Sequence, residues 1–206
     1  MSVRVLKGLV FVASLLPFLR LAGAAFFSWF GGLGANPIEL LTRSTGTWTL
    51  VFLCITLSVS PLRKLTGFAQ LLQLRRMLGL FTFFYVCLHF TTYIWFDQWF
   101  SLSSIVKDVF KRPFITAGFL AFLLLIPLAL TSTNGMMKRL GRNWVKLHKL
   151  IYLIAPIAVA HYWWHKAGKN ALEEPMVYAL IVALLLGYRV VAKWRVKTAP
   201  TRKATG

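Results

Sequence analysis

The sequence predicts an all-α integral membrane protein, a bundle of six transmembrane helices with both termini in the cytoplasm. Composition is the first reason. Of 206 residues, 58% are hydrophobic and only 14% charged, and the mean hydropathy is +0.67. A soluble domain of this length buries its core with far less apolar content. The second reason is segment length. Six apolar runs, roughly 8–29, 46–62, 77–96, 114–131, 145–164 and 175–192, match the ~20 residues that cross a bilayer as a helix. The third is the distribution of charge. The N-terminus (Arg4, Lys7), the second connection (Arg63, Lys64, Arg75, Arg76), the fourth (Lys138, Arg139, Arg142, Lys146, Lys149) and the C-terminal stretch (Arg189, Lys193, Arg195, Lys197, Arg202, Lys203) carry no acid between them. All five acids, Glu39, Asp97, Asp108, Glu173 and Glu174, fall on the opposite side, beside Arg43, Lys107, Lys111, Arg112, Lys166 and Lys169. Lys and Arg stay on the cytoplasmic side, which orients the chain. The net charge of +19 is thus a topology signal with anionic lipid as its partner. Nucleic acid is excluded as a partner, because no recognition motif or exposed domain accompanies the charge.

The first span reads as an uncleaved signal anchor. Ala22-Gly23-Ala24 resembles a small-residue cleavage site, but Arg20 precedes it and the apolar run continues through Phe26, Phe27, Trp29 and Phe30. Gly31-Gly32-Leu33-Gly34 lacks the later glycine and strand context of a dinucleotide loop and reads as a turn. Cys54 and Cys87, in spans two and three, form no CxxC pair and read as small apolar packers. The third connection, Asp97 to Arg112, alternates apolar and charged residues as a short amphipathic surface helix does. Tyr93, Trp95, Trp99, Tyr162, Trp163 and Trp164 suggest an outer aromatic belt. No internal repeat is evident. The chain divides into one membrane domain, 1–195, and a basic, disordered tail, 196–206, with the loss of order expected from Lys193 onward.

Three of the four histidines lie inside apolar runs, where an imidazole is costly and usually has a partner or a function. Span three enters from the cytoplasm near Arg75, which places His89 about 21 Å along the helix. Span five enters near Trp144, placing His148 within about one turn of the inner edge and His161 about 20 Å further, level with His89. His89 and His161 are therefore candidates to clamp an outer haem between two helices, and His148 to ligate a second, inner one. Bis-imidazole ligation leaves no open iron position, which suits electron transfer. Arg75 shares a helix face with His89 and stands at the depth where a fourth ligand belongs. It either contacts the inner haem or is a topogenic charge at the interface. On an ideal helix His148 and His161 are out of phase by roughly 140°, unless Pro156 between them bends the helix. His165, one turn beyond His161, is a substitute ligand or an interfacial residue. Arg20, deep in span one, is a candidate contact for a propionate, a quinone or a flavin. The competing explanation for every membrane histidine is a hydrogen bond to a neighbouring helix.

The segments RRMLGLFTFFYVCLHFTTY, KRPFITAGF, ALTSTNGMMKRLGRNWVKLHKLIYLIAPIAVAHY and the early LLPFLRL…GGLGANP resemble the MsrQ family (also called YedZ). These are the haem-binding membrane subunits of bacterial periplasmic methionine sulfoxide reductase systems, within the ferric reductase-like transmembrane superfamily. The resemblance runs from about residue 10 to residue 195. It implies an inner-membrane b-type cytochrome with one or two haems and an associated FMN. It also implies electrons supplied by a cytosolic flavin reductase or by quinol and passed to a periplasmic molybdopterin enzyme. That partner, not the membrane subunit, reduces methionine sulfoxide in oxidised envelope proteins. The family's haem-associated histidines fall on His89, His148 and His161 and its arginine on Arg75, whereas related oxidases and ferric reductases place two histidines on each of two helices. Two other functions compete: a self-sufficient transmembrane quinone or ferric-iron reductase, and a haem-free transporter relaying protons through its histidines.

Overall fold

The computed structural model describes residues 2–168 and 170–198; it is helical, with no strand among them. Nine α-helices follow in order: α1 (Val3–Phe27), α2 (Pro37–Thr66), α3 (Arg75–Thr92), α4 (Leu102–Lys111), α5 (Pro113–Leu130), α6 (Asn134–Leu140), α7 (Arg142–Leu147), α8 (Ile151–Ala167) and α9 (Glu173–Thr198). Local chemistry sets most boundaries. Ser2 caps α1 through the Val5 amide, and Asn36 caps α2 through that of Glu39, with Pro37 in the first turn. At its other end α2 has Arg63 and Lys64 in the last turn and then Gly67 at φ +74°. The cations complement the helix dipole, and the glycine supplies the left-handed cap without a Cβ clash.

Among the described residues, five helices are long and apolar enough to cross a membrane: α1, α2, α3 with its π-helical extension to Asp97, α5 and α9. The predicted span 145–164 is built in pieces. α7 ends at Leu147, a 3-10 turn covers His148–Leu150, and α8 begins at Ile151 with 17 residues. The expected amphipathic helix is present as α4, with Leu102, Val106 and Phe110 exposed along one stripe. The tail is ordered further than expected, since α9 continues past Lys193 to Thr198. The carbonyls of its last apolar turns extend the ladder without a glycine or proline to stop it. The rest of the predicted disordered tail, 199–206, lies outside the described residues.

Packing is dominated by two helix pairs, α2 on α3 and α5 on α8. α3 against α5 and α2 against α8 join these pairs into a four-helix core, with α9 laid on α8 and α2 and α1 on α3. One apolar cluster (Leu50, Leu53, Leu57, Ala155, Val159, Val182) ties α2, α8 and α9 together. A second (Val86, Ala121, Leu125, Leu128, Ile154) ties α3, α5 and α8. α1 is held differently. Pro17 interrupts its hydrogen-bond ladder, and the buried Tyr85 hydroxyl of α3 fills the gap, donating to Ser14 O at 2.8 Å and accepting from Phe18 N at 3.1 Å. Side-chain insertion of this kind re-satisfies backbone groups that proline frees in a membrane helix. The Tyr85 ring lies parallel to Phe52 at 5.1 Å, so one side chain fastens α1, α2 and α3.

Candidate haem cavity between four helices

The four core helices enclose a cavity of about 520 Å³, within the size range of cofactor pockets. His89 reaches it from α3 and His161 from α8, their ring centres 6.2 Å apart. Each ring is oriented by a helix other than its own. His89 Nδ1 lies 2.9 Å from Thr42 O on α2, and His161 Nδ1 lies 2.6 Å from Phe114 O on α5. A carbonyl can only accept, so each Nδ1 carries the proton and each Nε2 keeps its lone pair. That is how proteins orient an imidazole for metal ligation.

The cradles beneath the two rings are duplicates. One turn beyond Thr42 is Gly46, where an added Cβ would lie 3.0 Å from the His89 ring; one turn beyond Phe114 is Gly118, where it would lie 2.8 Å from the His161 ring. At both positions an imidazole already occupies the space, so an added side chain would press the ring aside, more at Gly118 than at Gly46. In both pairs 47 residues separate the histidine from its carbonyl. The α2/α3 and α5/α8 pairs thus repeat one arrangement, although no repeat is evident in the sequence. The repeat lies in backbone approach and side-chain placement, so residue identities hide it.

Two imidazoles on opposite sides of one metal, with bonds of about 2 Å and about 1 Å more from each nitrogen to its ring centre, stand roughly 6 Å apart, as these do. The described residues contain no group of three or more His, Cys, Asp or Glu side chains arranged for a metal. Two imidazoles alone are too few for a protein-only metal centre, whereas haem brings four ligands of its own and needs two axial ones. Thr42 Oγ1, on the cavity wall, is buried without a hydrogen-bond partner, a polar atom that an occupant could satisfy. The residues fit the group.

The remaining candidates divide. His165 also lines the cavity, nearer its mouth, against Phe114 at 5.6 Å. His148 does not line it. Its Nδ1 is 3.1 Å from Trp144 O on its own helix turn, its ring stacks on Trp144 at 3.9 Å, and its Nε2 is 3.5 Å from Ser132 Oγ. The two histidines of span five therefore face different partners, as their offset of roughly 140° on an ideal helix implies, and a 3-10 turn lies at His148. Arg75, in the first turn of α3, is near enough to His148 and Tyr152 to interact electrostatically with both, which places it at the same end. Arg189 joins this group, over the Tyr152 ring at 5.4 Å and bonded to Leu57 O. Arg20 is exposed on α1 and does not line the cavity. Cys54 and Cys87 are free, and Cys54 is buried in the α2/α8/α9 cluster, as packers are. Of the expected aromatic belt, Trp95, Trp99 and Trp164 are exposed, but Tyr93 is buried and donates to Asp108 at 2.8 Å.

Sequence reasoning missed Gly46, Gly118 and the two carbonyls. A glycine in an apolar helix has many uses, and a carbonyl leaves no sequence signal.

Fold and cavity define a multi-pass helical membrane protein with a histidine pair facing one internal site. The family described as ferric reductase like transmembrane component matches residues 43–159, the stretch that contains Gly46, His89, Gly118 and His148. Among relatives, a protein of Herminiimonas arsenicoxydans is 58% identical over 92% of this chain and 86% of its own. One of Bordetella pertussis is 53% identical over 92% and 91%, and one of Ralstonia nicotianae 53% identical over 94% and 88%. All three are named protein-methionine-sulfoxide reductase heme-binding subunit MsrQ. The chain belongs to the MsrQ family of the ferric reductase-like superfamily. No solved structure matches it.

Proposed function

We propose that this chain is the electron-transfer subunit of a methionine sulfoxide reductase system, a b-type cytochrome in which His89 and His161 are the axial ligands of one haem. The observation that carries this is the facing pair of imidazoles at 6.2 Å, each Nδ1 tied to a carbonyl of a neighbouring helix. The haem supplies one-electron redox chemistry. The chain's residues do the rest. Thr42 O and Phe114 O hold the imidazole protons on Nδ1, Gly46 and Gly118 let the rings lie against α2 and α5, and Leu53, Leu125 and Ile154 keep water from the inner wall. A haem held by both imidazoles would have no ligand position left for a substrate, which would leave methionine sulfoxide reduction to a partner.

In this reading the chain sits in the inner membrane with six spans, the fifth formed by α7, the 3-10 turn and α8, which follow one another from Arg142 to Ala167. The cavity mouth faces the periplasm and a molybdopterin partner. The basic opposite end faces a cytosolic flavin reductase, FMN or quinol. His148, with Arg75 beside it, is the candidate site of a second haem there.

A reduced-minus-oxidised spectrum of the purified chain, with haem quantified, tests the reading. A b-type spectrum is expected, and its absence under haem-replete expression would falsify it. Rapid ferric-chelate reduction without a periplasmic partner would instead favour the self-sufficient reductase.

A further inference from the structure

The cavity is charged at one end only. Toward the end that carries α4 its rim includes Arg43 of α2, Arg112 preceding α5, and His165 of α8, with Asp97 and Gln98 beside them; the other end carries no charge, walled by Leu53, Val86, Leu125 and Ile154 with Thr49 and Thr82, whose hydroxyls are bonded to carbonyls of their own helices. Both arginines are placed alike. Arg43 is braced by Glu39 four residues earlier, at 3.6 Å, and Arg112 by Asp108 four residues earlier. Arg43 also adjoins Thr42, whose carbonyl holds His89, and Arg112 stands two residues before Phe114, whose carbonyl holds His161. Each half of the duplicated cradle therefore ends in an acid-braced guanidinium at the mouth, on opposite flanks of the histidine pair.

We propose that Arg43 and Arg112 bind the two carboxylates of the porphyrin, and so decide which edge of the macrocycle faces the mouth. The inference rests on the histidine reading above. A porphyrin with both carboxylates on one edge is amphipathic in the same sense as this cavity. Guanidinium–carboxylate pairing is charge-assisted and orients its partner, and the apolar wall penalises the reversed orientation by desolvating the carboxylates. Glu39 and Asp108 hold the two forks in place before the ligand arrives, and Asp97 on the same rim keeps the mouth from becoming a general anion site.

The test is a chemical double-mutant cycle on the full chain purified without haem. Haem b and its dimethyl ester, which lacks the two negative charges, are titrated into wild type and into the Arg43→Gln/Arg112→Gln variant, with binding followed at the Soret band. Wild type is expected to prefer haem b by about tenfold or more, equivalent to about 1.4 kcal/mol, and the variant to bind both within about twofold. The haem midpoint potential is expected to fall in the variant, because lost positive charge favours the ferric state. Equal affinity of wild type for both ligands overturns the inference. So does a variant that keeps the full preference. An Arg43→Lys/Arg112→Lys variant, which keeps the charge and loses the fork, should retain part of the preference; loss as complete as in the glutamine variant would sink a charge-based role. A wild-type chain that takes up neither ligand overturns the histidine reading, and this inference with it.

Discussion

His89 and His161, at the cavity end of the bundle, are each held by a carbonyl from another helix and laid over a glycine of that helix. His148, at the opposite end, is held by Trp144 of its own helical turn and meets its neighbour Ser132 only at 3.5 Å. The first pair can be oriented only when four helices have come together; the second has a bond from its own helical turn, with Ser132 and the Leu128 backbone at the end of α5 as further neighbours. A ligand site whose geometry is set by inter-helix contacts is rigid, and it is sensitive to the helices that bear no ligand. The difference also explains why the cavity end has two matched halves. Each ligand helix, α3 and α8, is paired with a supporting helix, α2 and α5, that contributes the carbonyl, the glycine and a rim arginine.

The comparison breaks most decisively at the histidines. His89→Ala or His161→Ala should each abolish the haem of the cavity, read as loss of its share of haem per chain. His148→Ala should leave that haem's spectrum unchanged. Retention of wild-type haem by both of the first two variants would show that the pair is not axial.

Next in size are the supporting glycines. A Cβ at Gly118 meets the His161 ring at 2.8 Å and one at Gly46 meets His89 at 3.0 Å. Overpacking of this kind costs about 1–3 kcal/mol. Gly118→Ala should therefore lower haem retention and thermal stability more than Gly46→Ala, whereas Gly135→Ala, where the added carbon meets nothing within 4 Å, should change neither. Equal effects at all three positions would remove the cradle from the account.

Tyr85→Phe sharpens the contrast between ligand geometry and general packing. It leaves Ser14 O and Phe18 N of α1 without their bridge, a loss of about 1–3 kcal/mol. Thermal stability should fall while the haem spectrum of the folded fraction stays that of wild type.

The smallest effect concerns the mouth. Hydrogen bonding to the Arg112 guanidinium holds the Asp108 carboxyl below its ordinary value, with the Tyr93 hydroxyl adding to it. A carboxyl depressed in the folded state contributes stability that is complete above its unfolded pKa of about 3.9 and is lost as pH falls through the lower folded value. The anchoring of α4 should be constant from neutral pH down to about 5 and loosen only in stronger acid. Fluorescence of Trp95 and Trp99 would report this, and Asp108→Asn should abolish the acid transition. A transition near neutral pH would point to another group.

Much of this was legible in sequence. His89, His148 and His161 stood out because imidazole in hydrocarbon is rare, and helical rise sufficed to match the depths of His89 and His161 and to separate His148. The amphipathic α4 was visible in the alternation of Asp97 to Arg112. The break of span five at His148–Leu150 was not visible, since no glycine or proline marks it. Nor was the role of Tyr85, which looks like one more aromatic residue until Pro17 is beside it. The depth of Arg20 was readable but its direction was not: it is exposed on α1 and does not line the cavity.

By itself the sequence determined the membrane class, the positions of the long apolar helices, and the identity of the histidines, because hydropathy, charge and the cost of buried imidazoles are properties of residues and their spacing. Only the tertiary structure decided which nitrogen of each imidazole is left free, that Gly46 and Gly118 lie against the histidine rings, and that Arg43 and Arg112 share one cavity mouth. Those features depend on backbone atoms and on contacts between helices far apart in the chain, and a carbonyl or an empty Cβ position is written in no side chain.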